Sequence, residues 1–138
     1  MSFKIKEINY SKTWPIRHTV MWPDHPIAYI KLPLDKTVTH YGLFIKEKLV
    51  SIISLFKEDN EIQFRKFATL NEYQGMGYGT ALLNFIIEES NKQGISKIWC
   101  NARANKADVY LRFGLQKTDK KYTKGGIDFI IMQKIFTH

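Results

Sequence analysis

Between residues 69 and 81 the chain reads Thr-Leu-Asn-Glu-Tyr-Gln-Gly-Met-Gly-Tyr-Gly-Thr-Ala, and this junction constrains the fold more than any other segment. Strand character ends at Thr69, glycines stand at 75, 77 and 79, and an apolar helix begins near Thr80. Glycine permits positive φ and brings backbone close to a ligand with no Cβ in the way. The first turn of a helix adds unpaired N–H groups and the positive end of its dipole. Strand, glycine loop and helix in that order make a cradle for phosphate, and the ligand expected in it is a pyrophosphate.

The residues around the glycines separate three kinds of pyrophosphate site. A P-loop closes on Gly-Lys-Ser/Thr, but Gly79 is followed by Thr80 and Ala81, so no lysine stands ready for a terminal phosphate. A dinucleotide fingerprint needs Gly-x-Gly-x-x-Gly and an acid at the end of the next strand. Gly75 and Gly77 fit it, but Thr80 replaces the third glycine and the next strand ends Cys100-Asn101. The spacing met in full is Gln/Arg-x-x-Gly-x-Gly/Ala, as Gln74-Gly75-Met76-Gly77-Tyr78-Gly79. With it, the neighbourhood resembles the GNAT superfamily of acyl-CoA-dependent N-acyltransferases.

Two further stretches carry the resemblance. From Thr80 to Gln93 the residues Leu82, Leu83, Phe85, Ile86 and Ile87 form one apolar face, and Gly94 stands where a left-handed helix cap belongs. Ser96 to Cys100 reads as a buried strand, so strand, loop, helix and strand fit one crossover unit of about 40 residues. Downstream, Asn101 to Leu115 is similar to the family segment in which a short helix carries a tyrosine before an aromatic-Gly step; Tyr110 and Phe113-Gly114-Leu115 occupy those positions.

The resemblance implies a layered α/β (α+β) fold with a mixed, mostly antiparallel central sheet, its central strands splayed and flanked by helices. It implies acetyl-CoA as cofactor, with the pantetheine arm against the backbone of Phe67, Ala68 and Thr69 and the pyrophosphate on the loop Gln74, Gly75, Met76, Gly77, Tyr78, Gly79 and Thr80. Asn105 is assigned a polar contact to the arm, and Tyr110 the acid that meets the departing thiolate. The family's glutamate base corresponds to Gln63, which cannot take a proton; Glu61 and Glu72 are the nearby carboxylates. At the front end, Ile16-Arg17-His18-Thr19-Val20-Met21 is similar to the Leu-Arg-x-x-Val-Leu segment of many bacterial members. There Arg17 is expected to clamp an anionic group of the acceptor and His18 to line the same pocket.

Composition bounds the remaining classes. With 138 residues and 44% hydrophobic content the expectation is one domain spanning 1–138. No apolar run approaches the ~20 residues of a membrane span, and Lys4, Lys6 and Glu7 interrupt any secretory core, so a cytoplasmic protein is expected. Cys100, the single cysteine, is expected to be a buried inert thiol, and the four histidines lack metal-ligand spacing, so no metal is expected. The net charge of +8 suits a polyanionic coenzyme. An RNA-binding sheet is the rival from another class, but Phe64-Arg65-Lys66-Phe67 lacks the glycine of such motifs, and neither nucleic acid nor membrane is expected as a partner. A non-catalytic acyl-CoA sensor is the third reading, because of Gln63. The acceptor is expected to be a small-molecule amine or a peptide, and a homodimer stays open since family members often pair.

The rest of the chain supplies the other elements. Phe3 to Ile8 reads as a first strand or helix lead-in, and Tyr10 to Met21 as a short helix interrupted by Pro15. Prolines 23, 26 and 33 make a loop. Thr39–Ile45, Leu49–Phe56 and Asn60–Ala68 read as an antiparallel meander, and Leu115–Tyr122 with Asp128–Phe136 as a hairpin turned at Lys124-Gly125-Gly126.

Overall fold

The computed structural model describes residues 2–138. Alternating strand character yields seven strands: β1 (Lys4–Ile8), β2 (Thr39–Ile45), β3 (Lys48–Glu58), β4 (Glu61–Thr69), β5 (Lys97–Arg103), β6 (Gln116–Lys124) and β7 (Ile127–Ile135). They form one sheet in the order β1-β2-β3-β4-β5-β7-β6. Every neighbouring pair is antiparallel except β4 and β5, which are joined through a helix, as a parallel connection requires.

That one parallel pair is short. Its register covers only Glu61 to Gln63 against Lys97 to Trp99. Beyond it, Phe64 to Thr69 and Cys100 to Arg103 no longer pair with each other, so the sheet opens into a wedge at its centre. A bulge in β4 sharpens the divergence. Ser54 faces Arg65 and Ile52 faces Ala68, so Lys66 and Phe67 together oppose the single residue Ile53.

The connecting helix α2 (Tyr78–Lys92) starts two residues before the expected Thr80 because Gly77, at φ 87, already acts as its N-cap. It ends as the sequence implies, with Gly94 at φ 76 and Ile95 N–H donating to Ser90 O at 3.1 Å. Leu82, Leu83, Ile86 and Ile87 are buried against Leu43, Val50, Ile62 and Ile98 of the sheet, forming the main core.

The front segment is irregular yet firmly held. Pro15 sits in the first turn of α1 (Trp14–Ile16), where its missing N–H is harmless, and Arg17–Met21 continues as a π-turn. The helix expected over 10–21 with an interruption at Pro15 is three short pieces, Tyr10–Lys12, Trp14–Ile16 and Arg17–Met21. Arg17, 1% exposed, points inward and makes a two-pronged pair with Asp35, Nη1 to Oδ2 at 2.8 Å and Nη2 to Oδ1 at 3.0 Å. Arg17 Nη2 also donates to Ser54 Oγ at 2.9 Å, and Trp14 Nε1 donates to Asp35 Oδ2 at 3.0 Å. His40 closes the network, its Nε2–H donating to Asp35 O at 2.8 Å and its Nδ1 lying 2.7 Å from Ser54 Oγ. Burial pushes the Asp35 carboxyl up, but hydrogen bonds from Arg17, Leu32 N–H and Trp14, with the Arg17 charge, outweigh it and hold the carboxyl below the usual carboxylate range. This network fastens residues 14–37 onto β2 and β3.

Candidate active site

The wedge between β4 and β5 opens into a cleft of about 1390 Å³, larger than the ~300–1,000 Å³ of pockets for drug-sized ligands. Its floor and walls come from Gln63 to Thr69, from Cys100 to Arg103, from the glycine loop, and from Tyr110 and Phe113. Val20, Met21, Trp22 and Leu32 of the front segment also line it.

The glycine loop forms part of the same lining. Gly75 and Gly77 take φ of 77 and 87, and no atom would lie within 4 Å of a Cβ at either, so backbone conformation rather than crowding requires glycine there. Gly79 is the close-approach position: a Cβ would meet Thr69 Oγ1 at 3.2 Å and Phe67 Cζ at 3.3 Å. The first helical bond of α2 is Ala81 N–H to Gly77 O, leaving the N–H groups of Gly75, Met76, Gly77, Gly79 and Thr80 with no partner among the described residues. Gln74 ties the loop closed, donating from Nε2 to Thr69 O at 2.9 Å and Asn71 Oδ1 at 3.1 Å. Tyr78 is buried with its ring 6.2 Å from Tyr73, and Met76 is 52% exposed and does not line the cleft.

Tyr110 lies on α3 (Ala107–Leu111), with ring centroids 5.9 Å from Phe64 and 6.5 Å from Phe113. Tyr110 lines the cleft, and its hydroxyl takes no hydrogen bond among the described residues. Burial, with the Cys100 charge as a lesser cause, pushes the phenol up to about 12, so it keeps its proton at neutral pH. Burial likewise pushes the Cys100 thiol up to about 12, which makes it a poor nucleophile.

The cleft wall is strongly one-signed. Arg65, Lys66, Arg103, Lys106, Arg112 and Lys124 line it, and no carboxylate or imidazole does. None of these cations joins an ion pair among the described residues. Glu61 instead pairs with Lys97 at 3.5 Å and Glu72 is exposed, both away from the lining, so neither carboxylate offered by the sequence reaches the cleft. Gln63 does reach it, 7% exposed.

Three other expectations change. Arg17 is no acceptor clamp: its Nη1 and Nη2 donors are committed to Asp35, Ile30 O and Ser54 beneath the surface, and its buried Nε has no partner among the described residues. His18 is not among the lining residues; its Nε2–H donates to His25 O at 2.6 Å, bracing the loop at 22–25. Asn105 is exposed on the turn Ala104–Lys106 and does not line the cleft, because β5 runs three residues further than expected, to Arg103, and carries the turn past it. Asn101 is the asparagine that faces in. The cations missed in the sequence had one readable signal: apolar alternation in β4 passes from Ile62 and Phe64 to Phe67, a slip of phase that marks the bulge at Lys66.

A sheet wedged open beside a glycine cradle, with a protonated phenol in the gap, defines the acyl-CoA-dependent acyltransferase class. The family model for the acetyltransferase (GNAT) domain matches residues 18–136, and the chain belongs to that family. It is 28% identical over 141 residues, 95% of each chain, to the uncharacterized N-acetyltransferase YitI of Bacillus subtilis. The fold is similar to a ribosomal-protein alanine N-acetyltransferase of Escherichia coli, with TM-score 0.79 and 20% identity over 99% of this chain and 96% of that one. It is also similar to a PaiA N-acetyltransferase from Thermoplasma acidophilum in complex with coenzyme A, with TM-score 0.74 and 16% identity over 99% and 100%. Among the described residues no helix is long and apolar enough to cross a membrane, and no group of three or more His, Cys, Asp or Glu could hold a metal ion.

Proposed function

We propose that this chain, as a single cytoplasmic domain, moves an acetyl group from acetyl-CoA to a primary amine by direct attack, with Tyr110 meeting the leaving sulfur. The observation that carries the reading is the Tyr110 hydroxyl, protonated and without a protein partner, inside the cleft that ends in the free N–H groups of the glycine loop. Pyrophosphate sits on the loop from Gln74 to Thr80, and the pantetheine arm runs along the backbone of Phe67, Ala68 and Thr69 toward Tyr110.

The amine arrives past the front-segment residues Val20, Met21, Trp22 and Leu32 that line the cleft. Its nitrogen lone pair forms the C–N bond to the thioester carbonyl carbon as the carbonyl π pair moves to oxygen. That pair then returns, the C–S bond breaks, and sulfur leaves with the bonding electrons. Tyr110 donates its O–H to the sulfur as charge develops there. The nitrogen loses one proton to water and the thiolate takes one from water, so the net change is one amine proton delivered to the thiol. With no carboxylate or imidazole lining the cleft, the nucleophile is the neutral fraction of the amine.

The test is to incubate the protein with acetyl-CoA and a panel of primary amines, reading free thiol with a chromogenic disulfide and acetylated amine by mass. Matched appearance of the two is expected. Thiol release with no acetylated amine, or no calorimetric binding of coenzyme A, overturns the reading.

A further inference from the structure

Among the described residues four non-glycine residues adopt positive φ, and three of them, Lys46, Asp59 and Asn60, lie in the tight turns between β2 and β3 and between β3 and β4. The fourth, Lys66 at φ 55, lies inside a strand, at the bulge. A long side chain held in that strained region within a strand marks a position the surrounding structure has fixed. Lys66 is half-buried and lines the cleft. Lys124, the last residue of β6 before the Gly125-Gly126 turn, lines the same cleft, and its charge acts on Lys66. Arg65 lines the same wall, its guanidinium 4.5 Å from the Phe56 ring.

Bringing like charges together beside a partly buried ammonium is unfavourable unless something negative completes the site. Burial, joined by Arg17, Arg65 and Lys124 and opposed by Asp35, holds the Lys66 ammonium below the usual lysine range, the mark of a cation short of a counter-ion. Phe67 and Thr69, beside it on β4, approach the glycine loop at Gly79. The Lys66 ammonium, however, lies close enough to Arg17 and Asp35 of the front segment for their charges to act on it, and Val20, Met21, Trp22 and Leu32 of that segment line the same cleft. An anion carried by the acceptor suits that surrounding.

We propose that the acceptor is a primary amine carrying an oxyanion, a carboxylate or phosphate, held by Lys66 and Lys124 while its nitrogen reaches the thioester. This rests on the acetyltransferase reading above. It restores to the acceptor the negative charge expected from Arg17, but on different cations.

Four amines of similar length test it: aminopropyl phosphate, γ-aminobutyrate, butylamine and putrescine. Calorimetric binding of each to the coenzyme A-saturated protein is measured first, then thiol release with acetyl-CoA. The two anionic amines are expected to bind at least ~10-fold tighter than butylamine, with putrescine weakest, and their order reveals whether phosphate or carboxylate is preferred. Lys66→Gln, and independently the exposed-turn variant Lys124→Gln, are expected to raise KM for the anionic amines and to collapse their advantage over butylamine, with coenzyme A binding as the control for folding. Equal or tighter binding of putrescine, or an anionic preference that survives both variants, overturns the proposal while leaving acetyl transfer standing. Failure of coenzyme A itself to bind overturns the underlying reading, and this proposal with it.

Discussion

Replacing Tyr110 by phenylalanine removes one O–H and keeps the ring that packs on Phe64 and Phe113. With the phenol held up at about 12, roughly one molecule in 10⁵ is ionised at pH 7, so wild type always presents the donor. A thiol of the ordinary kind titrates near ~8.5, so complete proton transfer from a phenol at about 12 to a free thiolate would run uphill by roughly 3.5 units, or about 5 kcal/mol. Tyr110 therefore acts chiefly as a hydrogen-bond donor to sulfur while the C–S bond breaks, and the proton follows later through water. A hydrogen bond to a charged group is worth about 1.5–3 kcal/mol, so Tyr110→Phe should lower kcat by roughly 10- to 150-fold. The assay is thiol release at saturating acetyl-CoA and saturating acceptor, with coenzyme A affinity and thermal midpoint measured on the same preparation. A kcat within about twofold of wild type, with binding intact, would make Tyr110 a packing residue and refute the reasoning.

Gly77→Val costs on the order of 1–2 kcal/mol for a left-handed backbone but meets no neighbour within 4 Å, so the protein should fold with coenzyme A affinity reduced at least ~10-fold by calorimetry; undiminished affinity would remove the pyrophosphate from this loop. Arg17→Ala leaves Asp35 buried without its partner and should lower stability by about 3–5 kcal/mol in urea unfolding at pH 7, and a loss under 1 kcal/mol would be at odds with the buried pair. Because the Asp35 carboxyl is held below its ordinary 3.8, that contribution is present above this value and lost as pH falls through the lower, folded one. For two acceptors of different basicity, kcat/KM should rise with pH to the pKa of each free amine; one limb shared by both would reveal a base on the protein.

What was legible in the sequence was what local pattern dictates. Glycine spacing located the turn at 75 and 77, where φ is positive, though the helix begins at Tyr78, two residues before the expected Thr80. The Thr39–Ile45 strand has the bounds that alternation indicates, and the last hairpin turns at the glycine pair. The front segment was not legible, because its structure comes from a long-range network. Arg17 reads in sequence as an exposed cation on an amphipathic turn, and only Asp35, 18 positions on, and Ser54, 37 positions on, make it a buried brace. Asn105 was misplaced by a strand that ran longer than its apolar core. The cations of the cleft were visible as residues but not as a group, since β4, β5, α3 and the β6–β7 tip meet only in three dimensions.

The missing carboxylate and the surplus of cations are consistent as one arrangement. A glutamate at position 63 would stand two and three residues from Arg65 and Lys66 on the same strand, and the field of those cations would hold it ionised and paired rather than ready to take a proton. Glutamine keeps a buried polar group there without closing that ion pair. The same field acts on an incoming ammonium, since a like charge nearby disfavours its protonated form and each unit of lowered pKa gives about tenfold more neutral nucleophile. On this reading an anion anchored at Lys66 draws the acceptor in, while the neighbouring positive charge releases its proton to water. The cleft then needs no base of its own, and kcat for the bound amine should reach its plateau at a lower pH than kcat/KM does for the free one.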